Sequence, residues 1–355
     1  LSTGDLIVFE GGSLMIGTQQ QPIASNVVAE LQIRDLPYSD DPKQHLRTLL
    51  SVNGKIRIQG RQISQPFIKA SGDLQANSQQ IQLQQSVTAA GWQVGDQIVI
   101  PRSAQCEFDT YGTCNPQTES HTINSISGDG LTITLSSALQ HKHPGARNTA
   151  GQLDFFPYVL NMSRNVLIRS ENPNGNRAHT MLHGRSDVMI RYAKFKDMGR
   201  TNIGILGSGN QKGRYPLHAH HLIGPTAPQS NGYQFTIEGN VIDFGADNYS
   251  QNRKWGLTVH GSHYGLVQGN IVDYASGAAI VTEDGSESFN DFHKNFVVRI
   301  IGGTGERLHD PDPGDNSKLG RAGVGYWFNG GGNNSIRDNV AADIAECIYC
   351  YGFKF

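Results

Sequence analysis

Two histidines one residue apart, His218 and His220 in GRYPLHAHHLIG, point to the same side of the chain if that segment is extended, because side chains along a strand alternate between faces. A third histidine, His260, sits in LTVHG, and an acidic residue, Asp284, in VTEDG. Imidazoles with one carboxylate suit zinc or another transition metal better than calcium, which prefers oxygen ligands. Such an ion activates water or polarises a substrate oxygen. Without it, the same groups offer an acid and a base, with His260 as a proton carrier. Glu283 and Asp284 are adjacent, so in a strand they face opposite sides and do not form a paired-carboxylate site by themselves. One carboxylate with several histidines is the better reading.

These residues need a scaffold that brings distant segments into register, and the second half of the chain supplies one as a degenerate repeat. MLHGRSDVMIRYAKF, LTVHGSHYGLVQGNIVDY, VTEDGSESFNDFHKNFVV and YWFNGGGNNSIRDNVAAD each run apolar strand, polar residue, Gly, polar turn and further strands. Gly184, Gly261, Gly285 and Gly330 align, preceded by His183, His260, Asp284 and Asn329. A second column, Asn240, Asn270, Asn295 and Asn339, reads as a structural asparagine ladder between stacked coils. The interval from Gly261 to Gly285 lies within the 20–50-residue span of solenoid repeats. Coils of a parallel solenoid are about 4.8 Å apart. His218, His220, His260 and Asp284 then form one cluster on successive coils. The bland alternative is a solvated polar stripe, but four chemically useful residues in register favour function. The inserts GPTAPQSNG and GTGERLHDPDPGDNSKLGRA are expected to wall a groove.

The fold class expected is all-β: a right-handed parallel β-helix with an N-terminal β-rich domain. Residues 1–140 carry short strands such as DLIVF, SLMIG, KIRIQG, DQIVI and LTITL between turn signals, compatible with a sandwich or a roll. Residues 141–160, with Pro and Gly, read as a joint, and 161–355 as the β-helix. The 42 glycines and 17% charged residues fit a turn-rich, strand-rich chain.

A formal charge of −2 gives no electrostatic reason to expect nucleic acid. No apolar run is long enough to span a membrane. The chain opens directly on strand-like sequence, which reads as a mature or trimmed start, and secretion is an inference. Cys106 with Cys114 and Cys347 with Cys350 read as local disulfide clips, because neither pair has the second CxxC of a zinc ribbon. Around the row, Arg214 and Lys254 are candidates for binding an acidic sugar chain, and Trp255 and Tyr264 for stacking on sugar faces.

At these residues the sequence resembles the cell-migration-inducing hyaluronidase (CEMIP) family, its transmembrane paralogue and their bacterial relatives. The motifs are GRYPLHAH, LTVHG and VTEDGSESFNDF, in order, with GGSLMIGT, WQVGDQIVI, ISGDGLTITL and MLHGRSDVMIRYAKFKDMG upstream. The resemblance implies an eight-glycine β-domain, here incomplete at its N-terminal side, leading into a pectate-lyase-like β-helix. For some members it implies extracellular hyaluronan depolymerisation. By position it places His218, His220, His260 and Asp284 at the centre, with Arg214 beside them. The motif reads HAHH here where the family more usually has His-aromatic-His. The expectation is therefore a secreted or cell-surface monomer that degrades an acidic polysaccharide, by hydrolysis or elimination, with a divalent metal at His218, His220, His260 and Asp284. The alternative is a non-catalytic glycan-binding or adhesin module whose row is a structural metal site or a polar ladder.

Overall fold

A computed structural model describes residues 1–39, 41–104, 117–204, 206–302, 323–345 and 350–355. The chain forms two compact units, one of residues 1–61 with 164–355, the other of residues 62–163.

The first unit is a parallel β-helix. Two eight-stranded sheets and one seven-stranded sheet run along it, every neighbouring pair parallel. Each full coil gives one strand to each sheet, as Ala193–Lys196, Leu217–Leu222 and Phe235–Glu238 do for the first, second and third. The next coil contributes Val241–Asp243, Leu257–His260 and Gly265–Gln268. The one after contributes Ile271–Asp273, Ala278–Thr282 and Asp291–His293. Apolar residues stack inside, coil upon coil: Leu217, Ala219, Leu257, Val259 and Ile280 are fully buried in one continuous core. Each buried Leu, Ile or Val side chain contributes about 1.5–3 kcal/mol. The only helix among the described residues is Asn248–Gln251.

The expected division at 140 and 160 gives way to a different one. Ala29–Ile33, Thr48–Val52 and Lys55–Gln59 pair in parallel with Val166–Ser170, His179–Gly184 and Asp187–Arg191, so the solenoid already includes residues 1–61. Residues 62–163 interrupt it after that coil. They form a six-stranded antiparallel sheet in the order Phe67–Lys69, Tyr158–Asn161, Gln97–Ile100, Glu119–Ile126, Thr132–Leu135, Gln80–Gln82, with Ile81, Ile98, Ile133 and Trp92 buried. The segment expected as a joint belongs to this unit: Ala146–Arg147 pairs with Leu153–Phe155, and Tyr158–Asn161 is a sheet strand.

The two repeat columns behave differently. Asn240, Asn270 and Asn295 are fully buried. Asn270 Oδ1 accepts the backbone N–H and side-chain amide of Asn240, and its own amide donates to Ile237 O at 2.9 Å and Asn295 Oδ1 at 3.0 Å. Asn295 repeats the pattern with Asn339. A second, shorter ladder joins Asn290 to Asn334. The aligned glycines all take positive φ, Gly184 at 66° and Gly285 at 84°, a conformation glycine adopts without steric cost.

Gly265 is required for a different reason. A Cβ there would lie 2.0 Å from Cζ of Phe235, a fully buried ring on the preceding coil. Gly265→Ala is therefore expected to destabilise the solenoid by about 1–3 kcal/mol through overpacking, read from the shift in denaturant midpoint.

The insert at 303–322 and the cysteines Cys106, Cys114 and Cys347 lie outside the described residues. Cys350 is disulfide-bonded.

Candidate functional site

The second sheet carries the candidate site on its outer face. In Leu217–Leu222, Leu217 and Ala219 enter the core, which sends His218 and His220 outward. His220 pairs in register with His183 on one side and His260 on the other. On the next coil Thr282 pairs with Val259, so the residue that follows His260's row is Glu283. Alignment on Gly285 had placed Asp284 in the row; the strand register moves it by one. The reason is an extra residue in the turn, since Thr282 also pairs with Phe328, which sets Glu283 beside Asn329.

His218, His260 and Glu283 converge, one ligand atom from each lying within 4.8 Å of the others. His218 is 1% exposed. Its Nδ1 donates to Gly213 O at 3.1 Å, and because a carbonyl only accepts, this fixes the tautomer and leaves Nε2 with its lone pair towards the row. Burial, reinforced by His220, holds this imidazole well below its usual range, so it is neutral. His218 Nε2 and both Glu283 carboxylate oxygens are buried without a hydrogen bond. Lys212 Nζ stands 3.2 Å from Glu283 Oε1 and His260 Nδ1 3.2 Å from Oε2. Imidazole nitrogens beside a buried carboxylate are donor types that transition-metal ions accept.

Asp284 stays close without being part of that cluster. Its Oδ2 is 3.3 Å from His260 Nε2, and its side chain is 47% exposed. Behind it lies Glu287, which the sequence reading did not single out. Glu287 is fully buried and accepts N–H groups of Gly261 at 2.8 Å and Gly285 at 3.0 Å, tying the turns of two coils together. Burial and then the Asp284 carboxyl push its pKa up to about 7. Burial also acts to raise Asp284, but hydrogen bonds from Glu287 and Ser286 outweigh it and bring it down to about 2. The two carboxyls behave as a pair holding one proton near neutrality.

The expected sugar-binding residues fare unequally. Arg214 is buried and donates from Nε to Gln44 O, Nη1 to Lys212 O and Nη2 to Lys43 O, each at 2.7 Å. It clamps the Lys212–Gly213 segment that anchors His218, and has no fork to offer a substrate carboxylate. Lys254 and Trp255 are also buried, the ammonium 4.9 Å over the indole, and Trp255 packs with Tyr215 and Trp327. Lys254 is therefore not open to a sugar carboxylate, nor Trp255 to a sugar face. Tyr264 is 51% exposed and stacks on Phe289 of the next coil, centroids 4.9 Å apart and planes 2° from parallel. The accessible cation beside the row is Lys212, whose side chain is 43% exposed. Its sole sequence signal was its place just before GRYPLHAH.

Burial, then His260, His221 and His183, lowers the pKa of His220 from its ordinary 6.5 to about 4. A histidine harder to protonate folded than unfolded costs stability only where the unfolded chain holds the proton. Stability is therefore expected to fall as pH drops from about 6.5 towards about 4, and to be insensitive to this group above that window. Melting temperatures at pH 7 and pH 5 test this, and His220→Gln should reduce the difference.

A parallel β-helix with a histidine-carboxylate row on one outer face is the class of protein defined by this arrangement. The family described as CEMIP beta-helix matches residues 175–354, just over half of the chain, and the chain belongs to that family. It is 27% identical to Fibrocystin-L of Mus musculus over 96% of its length, while spanning 8% of that protein. It is 28% identical over 70% of its length to the G8 domain-containing protein DDB_G0286311 of Dictyostelium discoideum, spanning 15% of it. Among solved structures, the tailspike gp61 of Pseudomonas phage phi297 matches at 10% identity and a TM-score of 0.25, covering 96% of this chain and 50% of that one.

Proposed function

We propose that the protein is an extracellular depolymerase of an acidic, hyaluronan-type polysaccharide, secreted or displayed at the cell surface and acting as a monomer, with cleavage on the outer face of the second sheet. One observation carries this reading. Every amide of the buried asparagine ladder finds partners, whereas His218 Nε2, equally buried, meets no hydrogen bond and lies in one cluster with the Glu283 carboxylate, whose own partners are the ion pairs to Lys212 and His260. Leaving such an atom unsatisfied is costly, and a purely structural ladder has no reason to keep it.

A transition-metal ion held by His218, His260 and Glu283 would supply Lewis acidity towards a water or a substrate oxygen. The remaining roles belong to side chains. Lys212 meets a uronate carboxylate at the mouth of the row. Tyr264 and Phe289, on the turns after the His260 and Glu283 strands, offer ring surface to a sugar face. The Asp284–Glu287 pair, beside His260, holds a proton near neutral pH and exchanges it with the reacting oxygen. No helix among the described residues is long and apolar enough to cross a membrane.

Incubation with a panel of uronate-containing and neutral glycans tests the reading. An eliminative cut leaves an unsaturated uronate absorbing in the near ultraviolet, and a hydrolytic cut gives new reducing ends without it. Shortened acidic chains are expected. Absence of product from every glycan would overturn the enzyme, and affinity without turnover would assign the glycan-binding or adhesin role instead.

A further inference from the structure

His221 follows His220 directly, and regular alternation would turn it into the core. The strand avoids this with a bulge. His183 pairs with His220, but the next pair is Gly184 with Leu222, so His221 is skipped. Its φ is +47°, left-handed backbone that a non-glycine residue rarely takes and holds at a cost. As a result Leu222 fills the core position, and His221 stands outside, exposed, next to His220.

The two imidazoles meet a third. Ring centroids are 4.6 Å apart for His220 and His221, 4.7 Å for His221 and His260, and 4.9 Å for His220 and His260. One ligand nitrogen from each lies within 4.8 Å of the others, a grouping separate from His218, His260 and Glu283. The neighbouring coil is shaped around it: a Cβ at Gly261 would come within 2.5 Å of His221 Nδ1. His260 belongs to both groupings; its Nδ1 lies 3.2 Å from Glu283 Oε2 and its Nε2 3.3 Å from Asp284 Oδ2.

We propose that the row has two cation positions: an inner one at His218, His260 and Glu283, and an outer, solvent-facing one at His220, His221 and His260, with His260 shared between them as a bridging imidazolate that releases its N–H proton to solvent when both ions bind. The outer position is all imidazole, which selects zinc, copper or nickel over calcium or magnesium. The inference rests on the metal-assisted reading above and adds a second ion to it.

The test uses the full chain, stripped of metal by chelation and titrated with cobalt(II) as probe. Visible absorption reports imidazole coordination, and dialysis with elemental analysis gives stoichiometry. The wild type should bind two equivalents, and His221→Asn, whose side chain tolerates the same positive φ, should bind one. His221→Gly serves as a second variant that fits the bulge without strain, and Glu283→Gln should remove the other equivalent. A wild type saturating at one equivalent that His221→Asn leaves unchanged would overturn the outer position alone. Two equivalents retained by both His221 variants would do the same. No binding by the wild type would overturn the metal-assisted reading with it.

Discussion

Glu283→Gln is expected to reduce glycan turnover by about 10²–10⁴-fold, the range over which a positioned acid, base or ion-holding group acts. Glutamine keeps the shape but removes the charge that faces His260 Nδ1 and Lys212 Nζ. The loss should fall mainly on kcat, because the carboxylate is 2% exposed and a long polymer does not reach it directly. Asp284→Asn, at a half-exposed side chain outside the cluster, should cost much less. That order is opposite to the one expected from the glycine alignment. A larger loss for Asp284→Asn would return the role to Asp284. Arg214→Lys should also lower activity, through displacement of the Lys212–Gly213 segment and hence of His218, with the expected signature of a lowered melting temperature alongside the lowered rate.

The second large effect concerns stability. Asn270→Ala removes an amide that joins three coils: the backbone N–H of Asn240 and one N–H of its amide lose their acceptor and the carbonyl of Ile237 loses a donor, while the Asn240 amide keeps Ile190 O and Asn295 Oδ1 keeps the backbone N–H of residue 270. Each buried group left unpaired costs about 1–3 kcal/mol, so a total loss of about 4 kcal/mol or more is expected in chemical unfolding. Asn339→Ala should cost less, since Asn339 is only partly buried and water can replace its contacts. Equal losses at both positions would mean that the ladder does not work by satisfying buried groups.

Much of this was legible from residue columns. Glycines needing positive φ and asparagines bridging coils recur at the coil period, and they locate the sheets because backbone geometry imposes them position by position. The first coils were hidden because residues 62–163 separate them from the rest, and Val52 occupies the row position that His183 and His220 hold in later coils. The shift from Asp284 to Glu283 depends on one extra turn residue, which hydrogen-bonded register reveals and spacing alone does not. Arg214, Lys254 and Trp255 looked like groove residues by proximity in sequence. Their burial comes from contacts between segments distant in sequence, Arg214 with Lys43 and Gln44 and Trp255 with Val281 and Trp327, which leave no periodic signal. Glu287 is similar: a lone glutamate in a turn, defined by the N–H groups of two different coils.

Metal-assisted cleavage on this face requires the buried row to hold an ion, and elemental analysis of the protein purified without chelators addresses that directly. The prediction is a transition metal in stoichiometric amount, retained in Asp284→Asn and diminished in His218→Ala and Glu283→Gln. Metal-free protein that still shortens an acidic glycan, or equal metal content in all four proteins, would contradict it.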